Sequence, residues 1–243
     1  MRSKYKQYEM VIRPKGRTPA DEYLHKGRIY IEGRENSNYK IELRNNTNAR
    51  VMAIVSVDGI AVTDGKPASY ESGGFLVDAN STITIPGWLV SSQQAAEFVF
   101  SKKGASYGNQ TGQEDNAGVI GVAFFEEKIK YRGIIATPQI LASHGSLTKG
   151  MFGNSIVASS YEPEESLGTG FGDAVDFNTT KVDFEKATST PTLVLLTYYD
   201  SASNLQKMGI KLKDRYSNSI PDAFPASNSG FCQPPPSWVT KNR

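Results

Sequence analysis

The stretch that decides the fold is YKIELRNNTNARVMAIVSVDG, residues 39–59. Its apolar residues Tyr39, Ile41 and Leu43 alternate with charged residues, which is the period of a β-strand with one buried face and one solvent-facing face. The same alternation, interrupted at Gly, Asn, Asp and Pro, recurs from Arg28 to Glu127. It predicts an all-β fold: an antiparallel β-sandwich, jelly-roll-like, with long loops, one or two short helices and extended termini.

Individual strands and turns follow from the same pattern. Val51–Val57 is almost wholly apolar and is predicted to be a central strand. Asp58-Gly59 is predicted to be the hairpin turn after it, because both residue types tolerate positive φ. Thr192–Tyr199 is predicted to be another strand, whose Val and Leu residues at 194–196 favour a buried position.

Helical structure is expected only in short pieces. Residues 88–96 are predicted to form one short helix or an irregular crossing. A second short helix is predicted to run through Lys207, with Asp200 or Ser201 as its N-cap and Gly209 after its end.

Composition divides the chain into five predicted segments. They are a basic N-terminal arm (1–27), a β-sandwich core (28–127), a Gly-rich loop excursion (128–165), strands and a short helix that complete or are appended to the core (166–210), and a Pro-rich C-terminal tail (211–243). Pro14, Gly16 and Pro19 oppose a continuous helix or strand in the arm. Long loops inside compact domains are uncommon and tend to be functional or disordered, so the excursion is predicted to reach a neighbouring subunit.

Overall composition limits the classes of function. The 243 residues carry a net charge of +2, so direct nucleic-acid binding is not expected, since such domains are more often strongly basic. The single cysteine, Cys232, excludes an intramolecular disulfide. No apolar run approaches the roughly 20 residues of a membrane-spanning helix, and the start of the chain lacks the apolar segment of a signal peptide. The protein is therefore expected to be made and kept in a cytoplasm, at least until assembly.

The two ends of the chain hold the candidate partner-binding residues. The arm combines basic side chains with tyrosines, and the tail has a Trp beside three prolines, where no core of its own is expected. The candidates are Arg2, Lys4, Tyr5, Lys6, Tyr8, Arg13, Pro234, Pro235, Pro236 and Trp238. The alternative for the arm is a terminal extension that lies on its own domain.

No catalytic, cofactor-binding or metal-binding residues are predicted. The glycine-rich segment 167–173 lacks the spacing of a nucleotide-binding motif and is interpreted as a turn. His25 and His144 are the only histidines, and with a single cysteine and no His pair at helical spacing the sequence does not predict a zinc site. The adjacent glutamates at 126–127 and 164–165 would point to opposite faces of a strand, which makes them poor acid–base pairs.

Several segments together resemble a family of uncharacterised bacterial proteins with relatives among the virion structural proteins of tailed bacteriophages. The segments are Tyr30–Arg34, Tyr39–Asn46, Val55–Gly59, Val119–Ala123, Gly168–Gly172 and Leu196–Asp200. The resemblance covers most of residues 28–210. It implies a structural role in a virion and carries no catalytic or ligand-binding residue with it.

The expected function is that of a non-enzymatic virion protein, in the first place a capsid decoration or cement protein that grips neighbouring subunits with its arm, long loop and tail. The expected partners are the major capsid protein or other virion proteins, in a multimeric assembly without a membrane. One alternative is a neck or tail component. Another is a carbohydrate-binding module that stacks sugars on aromatic residues near Trp88 and Tyr107. A hydrolase with dispersed catalytic residues ranks last.

Overall fold

The computed structural model of the protein describes residues 7–112, 116–128 and 166–213. Over these residues the chain forms two β-sheets that enclose a common apolar core, together with two short helices and one 3₁₀ turn. The predicted all-β sandwich is confirmed.

The first sheet, sheet A, has the strand order β1-β4-β10-β12, with β8 beside β4 and β9 beside β10. All of its pairs are antiparallel. Its strands are β1 (Tyr8–Pro14), β4 (Asn38–Asn45), β8 (Ser81–Ile85), β9 (Gly87–Leu89), β10 (Gln94–Lys102) and β12 (Leu167–Asp176).

The second sheet, sheet B, has the order β2-β3-β13-β11-β5-β6, with β7 beside β5. Its strands are β2 (Tyr23–His25), β3 (Arg28–Glu32), β5 (Val51–Val57), β6 (Ile60–Ala61), β7 (Phe75–Val77), β11 (Val119–Glu126) and β13 (Leu193–Asp200). Only the pair β3–β13 is parallel among the strands described. The 3₁₀ turn and the helices are Lys103–Ala105, α1 (Tyr107–Gln110) and α2 (Ala202–Lys207).

The core lies where the inward faces of the two sheets meet. On β4, Ile41 and Leu43 are fully buried, as their alternation with charged residues predicts. Tyr39 stacks on Phe98 and Phe100, with ring centroids 5.2 and 4.3 Å apart. The strand β5 lies between β11 and β6 and is buried along most of its length, which confirms the predicted central strand.

The N-terminal arm predicted over residues 1–27 is wrong for much of its length. Residues 8–14 form β1, which pairs with β4 over its whole length and buries three apolar side chains in the core: Tyr8, Met10 and Ile12. Pro14 does not prevent this strand, because it is the last residue of an edge strand. Residues 23–25 form β2. Residues 1–6 lie outside the described part of the chain.

The glycine-rich segment 167–173 is the first part of β12 and not the turn that its composition predicted. Its glycines allow close packing against neighbouring strands and turns. A Cβ on Gly168 would lie 2.6 Å from the Cβ of Ser106, and one on Gly172 would lie 2.6 Å from Cγ2 of Val99. Because these glycines have no Cβ, β12 can pack closely against the neighbouring elements.

Two other local predictions need correction. Of the two alternatives for residues 88–96, the helix is wrong, because these residues contain the end of β9, a bend and the start of β10. The predicted strand at residues 192–199 is confirmed as β13, but two of its three aliphatic residues expected to be buried, Val194 and Leu196, are 40% and 47% exposed.

The short elements around β5 and β13 agree with the sequence. Asp58 and Gly59 have φ of +52° and +77°, as the predicted hairpin turn requires. The side chain of Ser201 accepts a hydrogen bond from the backbone N–H of Asn204 and caps α2, and Gly209 follows the helix with φ of +87°. Nearly all of the predicted loop excursion (128–165) and C-terminal tail (211–243) lies outside the described residues.

Candidate functional site

A group of polar side chains lies inside the sandwich around Asp58, at the β5–β6 turn. One carboxylate oxygen of Asp58 accepts hydrogen bonds from the backbone N–H of Gly118 at 2.9 Å and the hydroxyl of Tyr199 at 2.6 Å. The other accepts from the backbone N–H of Thr169 at 2.7 Å. The Thr169 hydroxyl lies 2.7 Å from that of Tyr199 and 2.8 Å from that of Tyr39.

This Asp58 network connects the two sheets. Tyr39 and Thr169 belong to sheet A, whereas Tyr199 belongs to sheet B and Asp58 to the turn beside it. None of the four residues is more than 3% exposed. A solute outside the protein does not contact these groups in this fold. We therefore interpret the network as a set of buried hydrogen bonds that stabilises the packing of one sheet on the other.

Burial raises the pKa of Asp58 to about 6, and the hydrogen bonds from Tyr199, Thr169 and Gly118 oppose that rise. Burial also raises the pKa of Tyr39 and of Tyr199 well above the ordinary tyrosine value, with a further contribution from the charge of Asp58. At neutral pH Asp58 is therefore mainly a carboxylate that accepts from neutral hydroxyls.

A second carboxylate, that of Asp200, fixes the start of α2. Its Oδ1 accepts hydrogen bonds from the backbone N–H groups of Ser201 and Leu167, at 2.7 and 3.2 Å, and from the side-chain amide of Asn204 at 3.1 Å. Burial raises its pKa, and these hydrogen bonds oppose the rise. Asp200 thus connects α2 to β12, while Ser201 is the N-cap.

The outer face of sheet B carries an apolar groove of about 480 Å³, here called the sheet B groove. Its floor is Gly121 and Ala123 of β11. Their partners in β13 are Leu196 and Val194, which form one wall, and Tyr70 lines the groove as well, from the loop between β6 and β7.

The order of residues in β11 explains the sheet B groove. Its large residues Ile120, Val122 and Phe124 have one parity and face the core, which leaves Gly121 and Ala123 on the outside. Because these residues are small, the surface is lower there than at the larger side chains on either side. Next along the strand the outward-facing Phe125 is covered by the chain itself, since Phe184 packs in the same cluster and the ammonium group of Lys186 lies 4.4 Å from the Phe125 ring centroid.

The structure places only two of the sequence-predicted partner-binding residues. Tyr8 is 2% exposed and stacks on Phe124, with ring centroids 4.6 Å apart, so its prediction as a partner contact is wrong. The Arg13 side chain is paired with Glu42 on the neighbouring strand β4. The other candidates lie outside the described residues: Arg2, Lys4, Tyr5, Lys6, Pro234, Pro235, Pro236 and Trp238.

The aromatic residues proposed for sugar stacking do not form an exposed platform. Trp88 is 2% exposed, and its indole N–H donates to the carbonyl of Gly170 at 3.1 Å. Tyr107 packs against Trp88 and Phe171, at centroid distances of 4.9 and 5.2 Å. The expectation that Trp88 stacks on a sugar ring is therefore wrong, because its faces are used inside the fold.

Sequence reasoning identified Asp58 only as a turn residue. Its partners Gly118, Thr169 and Tyr199 are 60, 111 and 141 positions away, so no local pattern indicates the Asp58 network. The sheet B groove does have a local signal, which is the small residues at alternate positions of the otherwise bulky β11 segment.

Within the described ranges, no three or more His, Cys, Asp or Glu side chains converge as a metal site would require. In the same part of the chain, no helix has the length and apolar character needed to cross a bilayer. Comparisons of the chain with protein-family models, with curated proteins and with solved structures found no match. The resemblance to phage virion proteins stays a prediction.

Proposed function

We propose that this protein is a non-enzymatic structural component of a bacteriophage virion, and that it serves there as a capsid decoration or cement protein. The observation that supports a binding role is the sheet B groove. A concave apolar surface of this size can receive one apolar side chain of another protein. The proposed mechanism is insertion of an apolar side chain of a neighbouring virion subunit between Tyr70 and the β13 residues Val194 and Leu196.

The interior contacts between the two sheets are compatible with this role. The Asp58 network and the stacked aromatic rings of the core join both sheets into one body. A body of this kind loses little conformational entropy when it is attached, because its contact surface is already ordered before binding.

The first experiment asks whether the protein is part of a particle. Phage particles released by cells that encode this chain are purified by density gradient, and the chain is quantified in them by mass spectrometry. Hundreds of copies per particle support decoration of the shell, and a few copies support the neck or tail alternative. Absence from the particles would overturn the virion role.

A second experiment tests the surface. The double variant Val194→Glu/Leu196→Glu places two charges in the sheet B groove, and we expect it to lose association with particles that lack the wild-type chain. Val90→Glu/Val182→Glu is the matched control, since Val90 and Val182 are 56% and 53% exposed and neither lines the groove. Equal binding by both variants would show that this groove is not the attachment surface.

A further inference from the structure

A second concave surface lies at the β2 edge of sheet B, around the β2–β3 hairpin. It has a volume of about 420 Å³ and is lined by His25, Lys26, Arg28, Tyr30 and Met208; we call it the basic groove. Tyr30 and Met208 also line an adjoining cavity of about 210 Å³.

The hairpin geometry explains why basic groups meet there. Lys26 and Gly27 form the turn, with φ of +47° and +78°, and this places His25 directly opposite Arg28. Residues directly opposite in an antiparallel pair project from the same face of the sheet. A two-residue turn therefore brings three basic side chains to one short edge of the molecule.

Aromatic rings form the base of this surface. The guanidinium carbon of Arg28 lies 5.1 Å from the ring centroid of Tyr198, which is within the range of a cation–π contact. Tyr198 and Tyr30 are themselves neighbours, with ring centroids 5.5 Å apart, and the ring of His25 meets Tyr30 edge-on at 6.3 Å. Stacking on Tyr198 holds the Arg28 guanidinium in place and leaves its N–H groups directed at the surroundings.

The charges at this surface are not balanced locally. No carboxylate lines the basic groove itself, whereas Asp200 lines the adjoining cavity. Within the described residues neither Lys26 nor Arg28 forms an ion pair. Three arginines at other positions differ, because Arg13, Arg34 and Arg50 are each paired with a glutamate. Clustered cations without counter-charges are stabilised when an anionic ligand binds.

We propose that the basic groove binds an acidic peptide segment of a partner protein. Carboxylates of the peptide pair with Arg28 and Lys26, and its chain lies against Met208, which is 41% exposed. A peptide is favoured over a nucleic acid, because the site offers three basic groups and the whole chain has a net charge of only +2. This proposal does not depend on the virion role, since it concerns a different surface and is tested on the isolated protein.

The test is a fluorescence anisotropy titration of the full chain with a labelled oligoglutamate peptide at low ionic strength. We expect Lys26→Gln/Arg28→Gln to weaken binding by at least about tenfold, because two charge-assisted contacts are removed. The control Lys40→Gln/Lys66→Gln makes the same change of charge at exposed positions on sheet A and beyond β6, and we expect it to bind within about twofold of the wild type. Lys26→Gln alone, at the exposed turn, is the second variant if the double variant does not fold.

Four results would overturn the proposal. They are the lack of saturable oligoglutamate binding, equal binding of an oligoglutamine of the same length, an equal loss in the control variant, and tighter binding of a single-stranded oligonucleotide that is lost in the same groove variants. The last result would assign the groove to nucleic acid.

Discussion

Asp58 has two structural roles that are combined in one residue. Its backbone adopts positive φ in a tight turn, and its carboxylate accepts three hydrogen bonds inside the core. Asn is the informative replacement, because it also tolerates positive φ but has only one oxygen that can accept. We expect Asp58→Asn to lower the free energy of unfolding at pH 7 by about 1–3 kcal/mol, since at least one buried donor loses its acceptor. Urea denaturation followed by circular dichroism measures the change.

The second Asp-Gly turn of the chain supplies the control. Asp64 precedes Gly65, as Asp58 precedes Gly59, but Asp64 is exposed and its carboxylate accepts only from the nearby backbone N–H of Lys66. Asp64→Asn is expected to change the free energy of unfolding by less than about 0.5 kcal/mol. Similar losses in both variants would show that the turn, and not the Asp58 network, accounts for the effect.

The raised pKa of Asp58 also predicts a pH dependence. Between its ordinary value of 3.8 and its folded value of about 6, the folded state binds more protons at this site than the unfolded state does. The stabilising contribution is fully present below pH 3.8 and is lost as the pH rises through 6. The stability advantage of the wild type over Asp58→Asn should therefore shrink from pH 4 to pH 7, by on the order of 3 kcal/mol. Denaturant titrations of both proteins at each pH check this, and a constant or growing advantage would contradict it.

At the scale of elements, β1 is a structural strand and not an arm. Ile12 is 4% exposed and reaches the core, whereas its neighbour Val11 faces outward and is only partly buried. We expect Ile12→Ala to lower the free energy of unfolding by about 2–4 kcal/mol through loss of burial and the cavity that remains. Val11→Ala, which removes less buried surface, is expected to cost less than about 1 kcal/mol. Equal, small effects in equilibrium denaturation would mean that β1 is dispensable.

The glycines of β12 give a second prediction at this scale. Gly168→Ala places a methyl group against the Cβ of Ser106, which belongs to the rigid turn before α1. Gly170→Ala meets the hydroxyl of Ser101 at 3.3 Å, and that side chain can rotate away. We expect Gly168→Ala to destabilise the protein by about 1–3 kcal/mol, and clearly more than Gly170→Ala does. Thermal melts of the two variants test the order, and the reverse order would contradict the packing argument.

Strand positions could be predicted where local periodicity determines them. The alternation of apolar and charged residues indicated β4 and its buried face, and the apolar run that ends at the Asp58-Gly59 turn indicated β5 as a central strand. The sequence did not predict β1, because Pro14, Gly16 and Pro19 suggest a break, whereas Pro14 closes an edge strand. The first half of β12 was not predicted, because a glycine-rich segment is typical both of turns and of strands that pack closely on their neighbours.

At the scale of the whole molecule, the candidate sites are spread over different surfaces. The Asp58 network is internal and depends on contacts between distant segments, so only the fold brings it together. The sheet B groove and the basic groove belong to one sheet but differ in chemistry, the first apolar and the second cationic. If both proposed docking surfaces are occupied, one body holds two neighbours at once, which in a repeated assembly would increase the avidity of attachment.

The extent of the folding unit can be tested by truncation. The described residues up to Leu212 belong to one compact unit, in which Ile210 and Leu212 pack with Tyr30 and Leu205 in a small cluster. A chain that ends at Lys213 keeps this cluster, and we expect it to unfold at the same denaturant midpoint as the full chain. A chain that ends at Gly209 lacks Ile210, which is 5% exposed, and should be less stable by about 2 kcal/mol or more. If both truncated chains lost the same stability, residues beyond 213 would be part of the folding unit, and the sandwich would not be complete without them.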